Sequence, residues 1–311
     1  MTASPVKPVS HQRARPLLGT LVEIAASGPG PEQVQHAIDS AFSVVETVHR
    51  LMSYHDPASD ISRINRQPCH TPLSVDPHTW TVLHTAQLLS TASNGLFDVT
   101  IAPRLVKLGF LPSGKPAEGA SYPGNWRHIG LLPEHRVVLS QPLQIDLSGI
   151  AKGYAVDQAI AALRQAGART GHVNAGGDLR IFGTEAHTIH VRHPLEPTRL
   201  IPLLQLQDGA VATSAGYYNR RQHNGRDIMP IIHPDNGMAC SSDRSVSVLA
   251  PSCMLADALT KVVHADSDAA NHILPLFQAQ ALLLDGQQSN TPCRFIPAQP
   301  VPLPQREQNH A

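Results

Sequence analysis

Two stretches hold side chains whose types and spacing suit chemistry on an anionic ligand. The first is Ile145–Gln158, IDLSGIAKGYAVDQ. It reads as a short strand, a tight Ser-Gly turn and the first turns of a helix, with Val156, Ala159, Ile160 and Leu163 at the helical period and Gly167 as the stop. A helix beginning at Ser148 or Gly149 presents free backbone N–H groups, which suit an anion. Lys152 then lies in the first turns, where a cation opposes the helix dipole, so its position points to a negative partner. An ordinary strand–turn–helix with an exposed lysine is the competing reading. The second stretch holds Asp257, Thr260 and Lys261, three and four residues apart and so on one helix face. By spacing alone, Asp257 and Lys261 read as a surface i,i+4 ion pair, which contributes little.

The elements that must position these residues are legible in hydrophobic period and turn chemistry. Leu21–Ala26 reads as a strand. Pro31–Met52 is an amphipathic helix with Val34, Ala37, Ile38, Ala41, Val45, Val48 and Met52 on one face. Asp76–Ala92 is a second helix, with Asp76 as N-cap, Pro77 at the first helical position and Asn94-Gly95 beyond its end. Lys107–Arg127 is rich in Gly, Pro and Ser and reads as an insertion or lid-like loop. Val137–Leu147 holds two short strands broken at Gln141-Pro142. His172–Ala175 and Leu179–Phe182 flank a hairpin turn at Gly176-Gly177-Asp178. A β-rich region follows, with strands at Thr188–Arg192, Leu200–Leu206, Ala210–Ser214, Asp227–His233 and Ser245–Leu249. Helices at Cys253–Ala265 and Asn271–Phe277 and a strand at Ala281–Leu284 complete it. Strands and helices mix without strict βαβ alternation, which predicts an α+β fold. Residues 1–16 read as a flexible arm, 17–286 as one domain, and 287–311 as a disordered, Gln-, Pro- and Asn-rich tail.

The chain has 311 residues, 41% of them apolar and only 4% aromatic, so a core of Ala, Val, Ile and Leu is expected. Lys plus Arg and Asp plus Glu number 24 each, which gives no support to a general nucleic-acid surface. His187, His190 and His193 invite a zinc reading, but a spacing of three on a strand alternates faces. The four cysteines, Cys69, Cys240, Cys253 and Cys293, show no metal spacing and demand no disulfide. No segment reaches membrane-spanning length, and the first 30 residues hold neither a signal-peptide run nor a lipobox cysteine, so a cytoplasmic protein is expected.

DLSGIAKGYAVD resembles the signature of the ApbE family, the FAD:protein FMN transferases, formerly grouped as thiamine-biosynthesis-lipoprotein-like. Other segments resemble the family's in the same order: LLGT (17–20), MSYHDPASDISRIN (52–65), GLFDVTIAP (95–103), VNAGGDLRIFG (173–183), ATSAGYYNRR (212–221) and SVSVLAPSCMLADALTKVV (245–263). The resemblance implies a single compact, T-fold-related catalytic fold with a flavin cleft. It implies Mg²⁺-dependent transfer of FMN from FAD to a Ser or Thr hydroxyl of an acceptor flavoprotein, with AMP leaving. Carried over, Gly149 and Asp257 are metal ligands. Leu18, Tyr54 or its neighbour His55, Leu96, Phe97, Asp98, Asp146, Lys152 and Ile231 contact the flavin nucleotide, Lys152 also serving catalysis.

Two positions depart from the family pattern. Lys261 stands where the family has a metal-binding Thr: either Thr260, one place early, takes over, or the ammonium of Lys261 replaces part of the metal's charge. Pro230 stands where the family has a His for proton transfer, and His233 where it has Asp. Either His233 supplies the base from a shifted position or proton transfer is weakened or lost. A catalytically silent FAD-binding homologue and an FAD pyrophosphatase releasing FMN and AMP are therefore the alternatives.

Overall fold

A hairpin of one polar-patterned and one apolar strand forms one edge of the fold. Val9–Leu17 (β1) and Thr20–Gly28 (β2) pair antiparallel, Val9 opposite Gly28 and Leu17 opposite Thr20, around a two-residue turn at Leu18-Gly19. Both turn residues have positive φ, 56° and 71°, the backbone twist a two-residue hairpin requires. The expectation of a flexible arm is corrected over residues 9–16. Arg13 and Arg15 of β1 lie over the Phe42 ring, 5.7 and 4.5 Å from its centroid, so the strand buries aliphatic stems while keeping its charges wet. The computed structural model describes residues 9–112, 125–216, 219–234, 236–241, 243–285 and 293–296. The segment 1–8, most of the expected lid-like loop (113–124) and most of the expected tail lie outside the described residues.

The amphipathic period over 31–52 is expressed as a helix with those limits, Pro31–Met52 (α1). There follow Asp60–Ile64 (α2), Leu73–Ser74 (β3), Pro77–Ala92 (α3), Ala102–Lys107 (α4), Ile129–Leu132 (β4) and Arg136–Leu139 (β5). Asp76 caps α3 by accepting from the His78 N–H at 2.9 Å. Next come Ala151–Gln165 (α5), Thr170–Ala175 (β6), Asp178–Phe182 (β7), His187–Arg192 (β8), Leu200–Leu206 (β9) and Gly209–Ala215 (β10). Arg221–His223 (β11), Arg226–Ile232 (β12), Ala239–Ser241 (β13), Arg244–Ala250 (β14), Cys253–Ala265 (α6), Ala270–Ile273 (α7), Gln280–Asp285 (β15) and Cys293–Ile296 (β16) complete the described elements. The tail expectation is corrected at β16, which pairs with β15.

Eight strands form one antiparallel sheet in the order β1-β2-β6-β7-β10-β14-β15-β16. Helices lie across it in step: α1 on β1 and β2, α5 on β6 and β7, α6 on β10 and β14, with α5 touching both other helices. The core between them is aliphatic, and Phe42 is its largest fully buried side chain. Adjacent residues of β7 face opposite ways, as a strand dictates: Phe182 joins the helical side, whereas Ile181 packs with Ile189 and Leu206 of the β8–β9 hairpin. The result is the α+β architecture the mixed pattern predicts.

The segment leading into α5 departs from expectation. Residues 142–147 form no sheet strand, although Leu143, Ile145 and Leu147 are buried. The buried Asn65 side chain substitutes for a neighbouring strand, donating to the Ile145 carbonyl at 2.9 Å and accepting from its N–H at 2.7 Å. The Asp146 N–H donates to the Val99 carbonyl at 2.9 Å. Buried backbone polar groups are thereby paired without a ladder. Ser148–Ile150 form a turn, and α5 begins at Ala151 rather than at Ser148 or Gly149.

Candidate functional site

Helices α5 and α6 meet at Gly153. A Cβ there would lie 2.2 Å from the Cys253 carbonyl oxygen and 2.9 Å from the Asp257 Cβ, so glycine alone admits this approach. One turn further along α5, the Asp157 carboxylate accepts from the backbone N–H groups of Cys253 and Met254, both at 2.9 Å, and pairs with Arg180. A carboxylate in that position satisfies two unpaired donors at the start of α6 and complements its dipole. Ser252 adds a cap, accepting from the Leu255 N–H at 3.3 Å. These contacts fix the face of α6 that carries Asp257.

Asp257 is fully buried. Its Oδ2 accepts from the Gly153 N–H at 3.1 Å and lies 3.4 Å from Lys152 Nζ. Its Oδ1 accepts from Lys261 Nζ, which also donates to the Asp257 carbonyl at 2.9 Å. Lys152 Nζ donates in turn to Asp178 Oδ2 at 2.5 Å. Asp178 is the first residue of β7, delivered by the turn at Gly176 and Gly177, whose φ values are 62° and 104°. The four side chains therefore alternate in sign: Asp178, Lys152, Asp257, Lys261. The negative partner that Lys152 demands at the start of α5 is supplied by the protein's own carboxylates.

The two carboxylates are driven apart. Burial, and then the charge of Asp257, raise the Asp178 carboxyl to about 6 against the pull of Lys152. Burial also acts to raise Asp257, but Lys152 and Lys261 outweigh it and lower that carboxyl to about 2. Lys152 is held above its ordinary value because Asp178 and Asp257 outweigh its desolvation. Burial raises Asp146 too, opposed by the Ser148 hydroxyl, which donates at 2.5 Å, and the Ser148 N–H at 3.2 Å. Tyr54 is raised by burial and then by the charge of Asp146.

Two cavities meet at this cluster. The larger, about 1260 Å³, is lined by Leu18, Tyr54, His55, Asp146 and Lys152 among others. The smaller, about 230 Å³, is lined by Leu96, Phe97, Asp98, Ile231, Gly149 and Lys261, and by Asp178. Asp146, Ser148, Lys152 and Pro230 belong to both walls. The residues expected to contact a flavin nucleotide are thus brought together around one connected space. Leu18 is set by its hairpin turn, where its N–H donates to His49 Nδ1 at 2.8 Å. Asp98 caps the turn after it, accepting from the Thr100 N–H and hydroxyl at 2.7 Å each, and burial raises its carboxyl. It also accepts from the Trp126 N–H at 3.3 Å, and a Cβ on Gly95 would lie 3.5 Å from the indole nitrogen of Trp126.

Other expected residues fall elsewhere. His233 lines neither cavity; it sits in the turn between β12 and β13, its N–H donating to the Met238 carbonyl at 2.9 Å. Thr260 lines neither cavity, and its hydroxyl donates to the Asp257 carbonyl at 2.7 Å. Such back-bonding is common for Thr within a helix.

The expected ligand set Gly149, Asp257, Thr260 and Lys261 was tested against Mg²⁺, which demands hard oxygen donors in a regular shell. Both carboxylate oxygens of Asp257 already accept from ammonium or backbone donors, the Thr260 hydroxyl donates to the helix backbone and lines neither cavity, and Lys261 offers no oxygen. Among the described residues no group of three or more His, Cys, Asp or Glu is placed to hold a metal ion. The donors present do not fit a divalent cation.

Two functional positions escape the sequence reading. Asp178 was seen only as part of a hairpin turn, although it belongs to the quoted segment 173–183. Asp157 sits inside the first stretch considered but off its apolar face, where nothing in the spacing announces a partner at residues 253 and 254.

A sequence model of the ApbE family matches residues 18–281. A Vibrio cholerae protein named FAD:protein FMN transferase is 30% identical over 230 residues, covering 70% of this chain and 69% of that protein. A Haemophilus influenzae protein of the same name is 28% identical over 238 residues, covering 70% and 69%. The crystal structure of the ApbE protein from Thermotoga maritima superposes with a TM-score of 0.79 at 24% identity, over 92% of this chain and 96% of that one, a likeness of fold. The flavin transferase ApbE from Vibrio cholerae superposes with a TM-score of 0.75 at 25% identity, over 93% and 96%.

Proposed function

We propose that this chain, which belongs to the ApbE family, is an FAD:protein FMN transferase that moves FMN from FAD to a Ser or Thr hydroxyl of an acceptor flavoprotein and releases AMP. The observation that carries this reading is the alternating cluster of Asp178, Lys152, Asp257 and Lys261 at the junction of two cavities large enough together for a dinucleotide.

In this reaction the acceptor oxygen forms a bond to the phosphorus on the FMN side of the pyrophosphate. The bond from that phosphorus to the bridging oxygen breaks, and AMP leaves with the bridging oxygen. Charge grows on the phosphate oxygens in the transition state, and fixed cations stabilise it without reorganisation. Lys152, walled into both cavities and held charged by Asp178 and Asp257, is placed for that work. The hydroxyl proton needs an acceptor whose affinity lies near the working pH. Asp178 supplies it in this reading: it lines the smaller cavity and is raised to about 6. His233 is outside both cavities and is not given the role. Tyr54 and His55 present rings to the larger cavity, where either suits stacking on a flavin or adenine ring.

The test incubates purified protein with FAD, with and without an acceptor domain that an active family member modifies. AMP is followed by chromatography and the acceptor by intact mass. A covalent FMN adduct with matching AMP is the expected result. AMP without an adduct would replace transfer by FAD hydrolysis, and bound FAD with neither product would leave a silent flavin-binding protein.

A further inference from the structure

The cation at Asp257 belongs to the chain itself. We propose that Lys261 is a built-in replacement for a divalent metal, its ammonium taking the position beside Asp257 and Gly149 that such an ion would need, so that the site binds FAD without one. The inference deepens the transferase reading and rests on it only for the identity of the nucleotide.

Three independent contacts fix Lys261 in that place. Its Nζ donates to Asp257 Oδ1 and, at 2.9 Å, to the Asp257 carbonyl. Its stem runs over Gly149, where an added Cβ would meet Cε at 3.4 Å. Lys261 also lines the smaller cavity, so the end of the side chain that is anchored on Asp257 borders the space where a phosphate would sit. An ammonium has three donors, and the two spent on Asp257 leave one for an anionic oxygen.

The neighbours exclude a second cation. Lys152 Nζ is 3.4 Å from the other oxygen of the same carboxylate. A divalent ion at Asp257 would have to expel Lys261, whose ammonium already stands on Oδ1 and on the backbone carbonyl. Thr260, the neighbouring oxygen-bearing side chain on this helix face, is committed to the helix backbone. The structure therefore pairs two carboxylates with two ammonium groups, and the Lys261 ammonium stands on the Asp257 oxygen that a metal would take.

The experiment uses the full chain, stripped with EDTA and exchanged into metal-free buffer. Mn²⁺ is titrated in and free ion is read by electron paramagnetic resonance; FAD binding is read by flavin fluorescence in EDTA and again in Mg²⁺. The parent protein is expected to bind no stoichiometric Mn²⁺, with or without FAD, and to bind FAD equally in both buffers. Lys261→Thr is expected to gain one Mn²⁺ site and to lose about tenfold in FAD affinity in EDTA, as the loss of one charge-assisted bond implies, with Mn²⁺ restoring it. Lys261→Met keeps the stem without the charge and should show the same gain of Mn²⁺ binding if the Thr variant folds poorly. One equivalent of Mn²⁺ bound by the parent, or parent FAD binding that requires a metal, overturns the proposal. The Mn²⁺ titration needs no acceptor protein, so a missing FMN adduct would sink the transferase reading while leaving this result to stand by itself.

Discussion

Asp178 and Asp257 are the same chemical group in one cluster, and their surroundings give them opposite characters. Asp257 has two ammonium groups and a backbone N–H on its oxygens and stays ionised; Asp178 shares one ammonium and feels the charge of Asp257. If Asp178 takes the hydroxyl proton, the transfer rate should fall as pH drops through about 6, because only the deprotonated form accepts. Asp178→Asn should lower the rate by about 10²-fold or more and remove that acidic limb. Initial rates of AMP release between pH 5 and 8, measured in the presence of acceptor, check this; a retained limb in the variant would assign the titration to another group. At this scale the sequence was informative where partners are close along the chain. The i,i+4 spacing of Asp257 and Lys261 reads as a surface ion pair; the structure holds the pair but buries Asp257 completely. Lys152 and Asp178 are on different elements, so nothing in the local pattern joins them. The hydroxyl direction of Thr260 is a rotamer choice, invisible to spacing.

The crossing of α5 and α6 sets the distance between Lys152 and Asp257, and Gly153 sets the crossing. Gly153→Ala would drive a methyl group into the Cys253 carbonyl, where rigid backbone cannot yield cheaply. The helices must separate, at a stability cost of about 2 kcal/mol, typical of overpacking. The same separation lengthens the Gly153–Asp257 hydrogen bond and misplaces the carboxylate. A lower urea midpoint with an unchanged far-ultraviolet spectrum, together with weaker FAD binding, is the expected outcome; native stability in the variant would mean the crossing is looser than the contacts indicate. The helices themselves were legible: Pro31–Met52 and Cys253–Ala265 carry their apolar faces within their own residues. The segment 142–147 was not, because Asn65, which holds it extended, lies 80 positions before Ile145.

For the molecule as a whole, β1 closes one edge of an eight-stranded sheet. Removing residues 1–16 would bare the β2 edge and free Phe42 of Arg13 and Arg15. An exposed edge strand invites pairing between chains, so the truncated protein should show concentration-dependent association by light scattering. Its melting temperature should fall by on the order of 5 °C or more; a freely detachable arm would change neither. The α+β class and the ordered motifs were readable along the chain. The order of the sheet was not, since pairings such as β2 with β6 join residues about 150 positions apart and VSHQRARPL looks too polar to pack. Another feature of the whole molecule is its pair of tryptophans, Trp80 and Trp126. Trp126 lies by Gly95 and by Asp98, a residue of the smaller cavity's wall, whereas Trp80 stacks on His84. An isoalloxazine ring absorbs across the band in which indole emits. A flavin seated beside Leu96–Asp98 would drain the excited state of Trp126, and its departure on an acceptor would return the light. Trp126 emission would then serve as an optical gauge of the site, dimmed while a flavin is bound and restored when it leaves.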